Sequence, residues 1–270
     1  RERFDTLVRR FAAGELRPLP VRAFPVDDAV DAFRFMAQAR HIGKVVLFDD
    51  AESATRIAGG AAWITGGLGG LGLAAARDLA ARGCTRIVLT GRSAPDAAAE
   101  ADIAQLRVAG ADVRVMTGDV ARLADVLQIR DAITALGWQL HTVIHAAGVL
   151  DDALLPRQEW RRFETALAPK AAGAWNLHVA TADTPLAAFI VYSAGAALLG
   201  SPGQANYAAA NAFIDGLVQY RRSQGLHGMS IAWGPWADVG MAARSGMDWS
   251  ASGLRAIDAE LGVVPECVAN

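Results

Sequence analysis

The 270-residue chain has only two cysteines, Cys84 and Cys267, too few for a disulfide framework and without metal-ligand spacing. That suits a reducing compartment and no resident metal. Charge of one sign is not in excess: the formal net charge is −2, with both signs spread along the chain. Nothing in that balance points to a nucleic-acid or acidic-membrane partner. Long hydrophobic runs are missing as well. The richest apolar stretch, 205–218, is broken by Asn206, Asn211 and Asp215 and is too short to span a bilayer, and no signal peptide is visible. A cytoplasmic location is therefore expected. The first residue is Arg1 and not Met, so a piece of a longer chain is expected. Apolar residues, at 53%, suffice for a buried core, and the length allows one large α/β domain or one domain plus a fragment.

The chain is organised around 61–72, AAWITGGLGGLG. Residues 61–64 have the length and content of a buried strand. Thr65 ends it, and Gly66, Gly67, Gly69, Gly70 and Gly72, interleaved with Leu68 and Leu71, come next. LAAARDLAAR (73–82) then carries apolar residues at helical spacing. Strand, glycine turn and helix is the context a dinucleotide fingerprint requires. The glycines permit a tight turn, close approach to a pyrophosphate and close helix–strand packing. The helix N-terminus offers unpaired N–H groups to phosphate.

Residues 1–48 differ in pattern from the rest of the chain. They predict a helix over 4–13, an extended passage at Pro18 and Pro20, a helix over 26–40 with Asp27 or Asp28 as N-cap, and a strand over 44–48. That is too little for a domain, and it reads as the tail of a neighbouring one, with 49–58 as a linker and 59–270 as the main domain. From residue 61 the pattern alternates. Strands are predicted at 61–65, 86–90, 112–116, 141–145, 187–192 and 228–233. Helices are predicted near 73–82, 97–109, 122–136, 157–180 and 204–223. Such alternation implies a Rossmann-type α/β fold: a doubly wound parallel sheet with helices on both faces, and ligands at the carboxyl ends of the strands.

Candidate residues stand after each strand. Arg92 lies twenty residues past Gly72, where a guanidinium suits the 2′-phosphate of NADPH; it also suits an ordinary surface. Asp119, followed by Val120, either accepts from an adenine amine or caps the next helix. His145-Ala146-Ala147-Gly148 offers small residues against which a cofactor can lie, with His145 itself as easily a satisfied core histidine. Asp151 and Asp152 either face the pocket or build a turn and cap, and Lys170 taken alone suits solvent. Tyr207 and Asn211 are four apart and share a helix face. A phenol activated by a nearby ammonium and by ribose hydroxyls can protonate a carbonyl that receives hydride. Without the fingerprint upstream, a packed tyrosine would serve as well. Pro235 and Trp236 lie at the expected nicotinamide end, and 237–252 reads as a lid.

TGGLGGLG (65–72), HAAGVLDD (145–152), PK (169–170), GSPGQANYAAAN (200–211) and WGPW (233–236) together resemble the ketoreductase domain of modular polyketide synthases, within the short-chain dehydrogenase/reductases. Residues 14–20 and 32–47 resemble the end of an enoylreductase domain. The resemblance implies Tyr207 as proton donor, with Lys170 lowering its pKa and Asn211 aiding the proton path. It implies NADPH as cofactor and a β-ketoacyl chain on an acyl carrier protein as substrate. The enoylreductase and the structural half of the ketoreductase would be partners in the same synthase. Leu150-Asp151-Asp152 matches the motif of B-type enzymes, and Leu199 stands where A-type enzymes carry Trp. Both imply a 3R hydroxyl, with Gln204 and Met241 on the substrate side. One position departs from the family: its catalytic Ser falls on Ala194. Ser193 precedes it and should face the other way along the strand. The alternative implied is a silent, scaffold-like domain; a free-standing dehydrogenase fits the tail less well.

Overall fold

The computed structural model describes residues 10, 15, 20–25, 28–38, 42–48, 60–237, 240 and 256–257. These residues divide into two compact units, separated between residues 52 and 53.

In the first unit, β1 (Val21–Pro25) and β2 (Lys44–Phe48) pair in parallel, with α1 (Ala29–Ala37) between them in sequence. The sequence signals only an extended passage at β1, because the strand follows Pro20 and has no alternation. Its start is set by the partner: Pro20 carbonyl oxygen accepts the Lys44 N–H at 2.9 Å. Asp28 takes the N-cap position of α1 without a side-chain cap bond. The helix expected over 4–13 lies outside the described residues apart from Arg10, as does the linker.

The second unit is a six-stranded parallel sheet of β3 (Ala61–Thr65), β4 (Arg86–Gly91), β5 (Asp112–Thr117), β6 (Leu140–His145), β7 (Ala188–Ala194) and β8 (Met229–Trp233). The order across the sheet is β5-β4-β3-β6-β7-β8. Strand order therefore reverses between β3 and β6, the switch point at which such sheets bind ligands. Register sets the ends in one row: Thr65 lies beside Thr90 on one side and His145 on the other.

Two helical layers cover the sheet. One face, with Ile64, Leu89, Ile144 and Ile190, packs on α2 (Gly70–Ala81) and α3 (Ala97–Val108). The other, with Trp63, Val143, Phe189 and Val191, packs on α4 (Leu123–Ala135), α6 (Gly173–Ala180) and α8 (Ala205–Ser223). Both faces of the inner strands are buried, so they read as continuous apolar runs rather than alternating ones.

Two boundaries differ from expectation. α2 begins at Gly70, inside the glycine motif, because Gly69 and Gly70 do not obstruct the first turn. The run expected as one helix over 157–180 breaks into a short 3₁₀ turn at Leu155–Arg157, α5 (Trp160–Leu167), a π-helical turn at Ala168–Ala172, and α6. Pro169 lacks an N–H, so α-helical bonding cannot run through it. A short α7 (Ala196–Leu199) precedes α8.

Close packing at the fingerprint is measurable. A Cβ on Gly72 would sit 2.3 Å from the Gly66 carbonyl oxygen, whereas one on Gly216, within α8, would meet nothing within 4 Å. Gly72→Ala should therefore destabilise by about 1–3 kcal/mol. Gly216→Ala should stabilise by roughly 0.5–1 kcal/mol. Urea midpoints moving in opposite directions would verify both.

Candidate active site

The fingerprint turn lies at the switch point. Gly66 has φ +66°, and a Cβ there would be 2.7 Å from Ala147 N and 2.8 Å from Ala146 C. Ala146 N–H also donates to Thr65 carbonyl oxygen at 3.0 Å. The turn after β3 and the small residues after β6 thus touch through backbone. A Cβ on Gly67 would be 2.7 Å from Ile64 carbonyl oxygen, and Leu68 lies over Gly91 at the end of β4. No side chain caps α2 and its first turn holds no acid, whereas Asp96 caps α3 by accepting the Ala99 N–H at 2.9 Å. An uncapped helix start beside a Cβ-free turn fits a pyrophosphate.

Arg92 is exposed just past β4, with no carboxylate partner among the described residues. Asp119 closes its own turn: Oδ1 accepts Ala121 N–H at 3.0 Å, and its own N–H donates to Asp125 at 2.9 Å. It does not occupy the N-cap of α4, which is Arg122. Val120 packs on α6, and its carbonyl oxygen accepts from Asn176 Nδ2 at 2.9 Å. Trp236 is buried against Trp233, with ring centroids 4.9 Å apart, and Pro235 carbonyl oxygen accepts Ile257 N–H at 2.8 Å. Met241 and nearly all of the expected lid lie outside the described residues.

Thr65 and His145, both expected at the cofactor, are bonded to each other. His145 is fully buried, with Thr65 Oγ1 2.7 Å from its Nδ1 and Lys170 carbonyl oxygen 3.1 Å from its Nε2. The carbonyl can only accept, so Nε2 carries the proton and Nδ1 accepts from the threonine hydroxyl. Burial first, and the neighbouring Lys170 charge second, push the His145 pKa down to about 3. His145 and the Thr65 side chain form a neutral tie between β3, β6 and the π-helical turn.

That turn aims Lys170 inward. Its ammonium is buried and donates to Tyr192 carbonyl oxygen at 2.6 Å, 5.5 Å from the centre of the Tyr207 ring. Burial lowers its pKa to about 8, with Asp215 opposing. Tyr207 lies in the first turn of α8. Burial raises its pKa, Asn211 partly offsets this, and the Asp152 charge adds to the rise. Removal of water penalises a phenolate more than an ammonium at that distance favours it. Asn211 donates from Nδ2 to Tyr207 carbonyl oxygen at 2.8 Å, leaving its buried Oδ1 without a partner. Ala194 is the last residue of β7. Ser193 shares the other face with Phe189 and Val191 and is buried with an unpartnered hydroxyl, so it does not stand in for a serine at 194.

The acidic loop and the start of α8, far apart in sequence, are joined. Gln204 Nε2 donates to Asp152 at 2.9 Å, and Ala153 N–H to Gly203 carbonyl oxygen at 2.9 Å. Arg162 pairs with Asp151. Asn206 is buried and binds on both sides: Nδ2 donates to Asp151 carbonyl oxygen at 2.8 Å, and Oδ1 accepts Tyr207 N–H at 2.9 Å. Sequence inspection missed Asn206 and Arg162. The one signal was a buried-type position held by an amide directly before Tyr207. Leu150 is half-buried, and Leu199 is exposed.

A parallel sheet in this order, a Cβ-free cradle at its switch point and a buried lysine against a tyrosine ring define an oxidoreductase of the short-chain dehydrogenase/reductase fold. Residues 60–238 match the ketoreductase family, described as "KR domain", and 1–47 match the zinc-binding dehydrogenase family, which fits the enoylreductase-like tail. One subunit of the phenolphthiocerol/phthiocerol polyketide synthase of Mycobacterium tuberculosis is 42% identical over 253 residues, covering 90% of this chain and 12% of its own. The spectinabilin polyketide synthase system protein NorB of Streptomyces orinoci is 43% identical over 270 residues, with 97% and 12% covered. Among solved structures, an A-type ketoreductase from a modular polyketide synthase superposes with TM-score 0.71 at 36% identity, covering 74% of this chain and 43% of that one. The first ketoreductase of the tylosin synthase gives 0.67 at 39%, covering 75% and 44%. The chain belongs to the ketoreductase-domain family of polyketide synthases, whose members are nicotinamide-dependent oxidoreductases. It spans about 12% of the length of these curated relatives. No described helix is long and apolar enough to cross a membrane, and no metal-binding cluster occurs among the described residues.

Three histidines make stability fall with acid. His145, His178 and His227 all have lowered pKa values, chiefly through burial. His178 Nδ1 accepts from Arg221, 3.0 Å away, and His227 Nδ1 accepts Phe189 N–H at 3.1 Å, so protonation removes both bonds. The unfolded chain takes up protons near pH 6.5 that the folded one refuses. Stability is thus full above about pH 7 and is lost on descending through 6.5, by about 1.4 kcal/mol per pH unit for His145 alone. Thermal melts between pH 7.5 and 5 should show that slope, and His178→Gln should reduce it.

Proposed function

We propose that this domain reduces the β-keto group of a 3-ketoacyl thioester, carried on the phosphopantetheine arm of an acyl carrier protein, to the 3-hydroxyacyl thioester. The observation that supports it is the meeting of Lys170, Tyr207 and the Asp151–Asp152 loop at the strand ends beside the glycine cradle. The cofactor proposed is NADPH, which supplies hydride when bound. Backbone N–H groups at the start of α2 would hold its pyrophosphate, and the unpaired Arg92 its 2′-phosphate. Tyr207, its pKa raised, keeps its proton until the substrate oxygen gains charge, then donates it. Lys170 stays behind the ring as a fixed positive charge that favours the departing proton. The Leu150-Asp151-Asp152 loop, braced against α8, and Leu199 in place of Trp support a 3R product. A cytoplasmic synthase, with the enoylreductase and the structural half of the ketoreductase as neighbouring domains, is part of the same proposal, as is a main domain starting near residue 59.

A second reading is favoured by one position. Ala194 offers no hydroxyl to the developing oxyanion, and losing one such donor costs roughly 10²–10³-fold in rate. The domain would then be a slow enzyme or a silent scaffold. NADPH oxidation with a ketoacyl thioester surrogate separates the two. Ala194→Ser should raise turnover by about 10²-fold or more, and Tyr207→Phe should abolish it while leaving NADPH affinity unchanged. No reduction by either parent or Ala194→Ser favours the scaffold.

The cofactor assignment has its own check. Arg92→Ala should weaken NADPH binding by roughly tenfold, as expected for loss of one charge-assisted phosphate contact. NADH affinity should not change. Equal weakening of both would remove Arg92 from the site.

A further inference from the structure

An ammonium inside a protein needs an opposite charge, because the interior does not replace its hydration. Lys170 is buried, donates to Tyr192 carbonyl oxygen at 2.6 Å, and has no carboxylate in ion-pair contact among the described residues. Burial pushes its pKa down, and the charge that opposes this is that of Asp215. Asp215 is itself a surplus charge. Its carboxylate accepts from the Ser230 hydroxyl, and no guanidinium pairs with it among the described residues.

The helix and the sheet bring these two charges together independently. Tyr207, Asn211 and Asp215 recur every four residues and share one side of α8. Asp215 lies two turns past Tyr207, about 12 Å along the axis. In the sheet, Val191 of β7 stands beside Ser230 of β8, and Tyr192 beside Ile231. Neighbouring residues of parallel strands share a face, so Ser230 points to the α8 side, where Val191 is buried. The carbonyl that holds Lys170 and the hydroxyl that holds Asp215 are thus one strand and one residue apart, which sets the two charges within roughly 10 Å. The other groups around Lys170 supply no counter-charge. Ser193 Oγ and Asn211 Oδ1 are neutral and buried without partners. His145 on β6 is uncharged, and Tyr207 keeps its proton. On α5, Arg162 is paired with Asp151, and on α6, His178 is bonded to Arg221 of α8. β8 reads MSIAW and adds no charged side chain.

Resting on the reading of Lys170 as the fixed charge behind Tyr207, we propose that Asp215, tethered by Ser230, is the counter-charge that keeps Lys170 protonated. It acts through Lys170 and is a positioning residue; the acid whose charge acts on Tyr207 is Asp152. Without Asp215, the ammonium would lose its proton close to neutrality, and the phenol would give up its own with no positive charge behind it.

Lys44 and Lys170 are the only lysines in the chain. Carbon-13 at lysine Cε therefore gives two NMR signals, assigned with Lys44→Arg, and both titrations can be followed on the full chain from pH 6.5 to 10. Asp215→Asn keeps an oxygen that accepts from Ser230, so a purely structural tie between α8 and β8 survives it. It should still lower the Lys170 midpoint by about one unit, a roughly threefold smaller ammonium fraction at pH 7.5. Asp215→Ser should act in the same direction, and Asp215→Glu should stay within about 0.5 unit of the parent. The Lys44 signal should not move. In NADPH oxidation by the Ala194→Ser chain, adding Asp215→Asn should produce a deficit that grows from pH 6.5 to about fivefold at pH 8. An unmoved Lys170 midpoint in both neutral variants overturns the proposal. An equal shift in Asp215→Glu also overturns it, since shape and not charge would then be responsible. The midpoint is read without substrate. A shift in a chain that oxidises no NADPH defeats the ketoreductase reading and leaves the counter-charge standing, whereas an unmoved midpoint in an active chain does the reverse.

Discussion

The active crevice depends on one histidine staying uncharged. His145 ends β6, takes a proton-bearing bond from Thr65 at the end of β3, and gives its own to the carbonyl of Lys170. Three pieces of chain, each bearing part of the crevice, are fixed to one imidazole. A second proton would leave Thr65 with no acceptor there and set a buried cation beside a buried ammonium. Burial and the Lys170 charge both act against that. The same ammonium, unable to reach water, bonds the Tyr192 carbonyl and lies behind the Tyr207 ring. The neutral tie and the positive charge are thus adjacent by construction, and the second adds to what burial does to keep the first neutral.

Much of the scaffold was legible because the inner strands are buried on both faces. Runs such as AAWI at the start of β3 and AFIV at the start of β7 have no polar interruption that could place them elsewhere. The fingerprint was legible for a different reason: glycines at 66, 67 and 72 have no tolerable substitute where backbone meets backbone. Less visible were features set by partners distant in sequence. β1 exists because Lys44 and its neighbours pair with it. His145 could not be assigned from HAAG alone, since its role depends on a carbonyl 25 residues on. Asn206 has the same character: its value lies in bonding Asp151 and Tyr207 at once, and neither bond leaves a mark in a single sequence. The extent of desolvation around Tyr207, which raises its pKa in the chain alone, emerges only from packing.

The site shows an uneven pattern of retention. The cradle, the uncapped helix start, the buried lysine, the tyrosine and the braced acidic loop come together, and β7 ends beside them at Ala194, which bears no hydroxyl. Ser193 does not restore it, because the pleat turns it into the layer beneath α6 and α8. The fold and the chemistry at position 194 are therefore separable.

The π-helical turn at Ala168–Ala172 has a geometric corollary. Such a turn is an α-helix that has absorbed one extra residue, so the helix after it is rotated by about 100° relative to the helix before. That phase slip brings Ala166 and Ala174, both buried, to within about 20° of one face instead of about 80° apart. The surplus residue cannot be deleted without turning either helix's apolar stripe toward water. The lysine and the inner surface of α6 are therefore locked to a common count of residues, and a length change between Leu167 and Gly173 should be far less tolerable than one in the turn at Gly137.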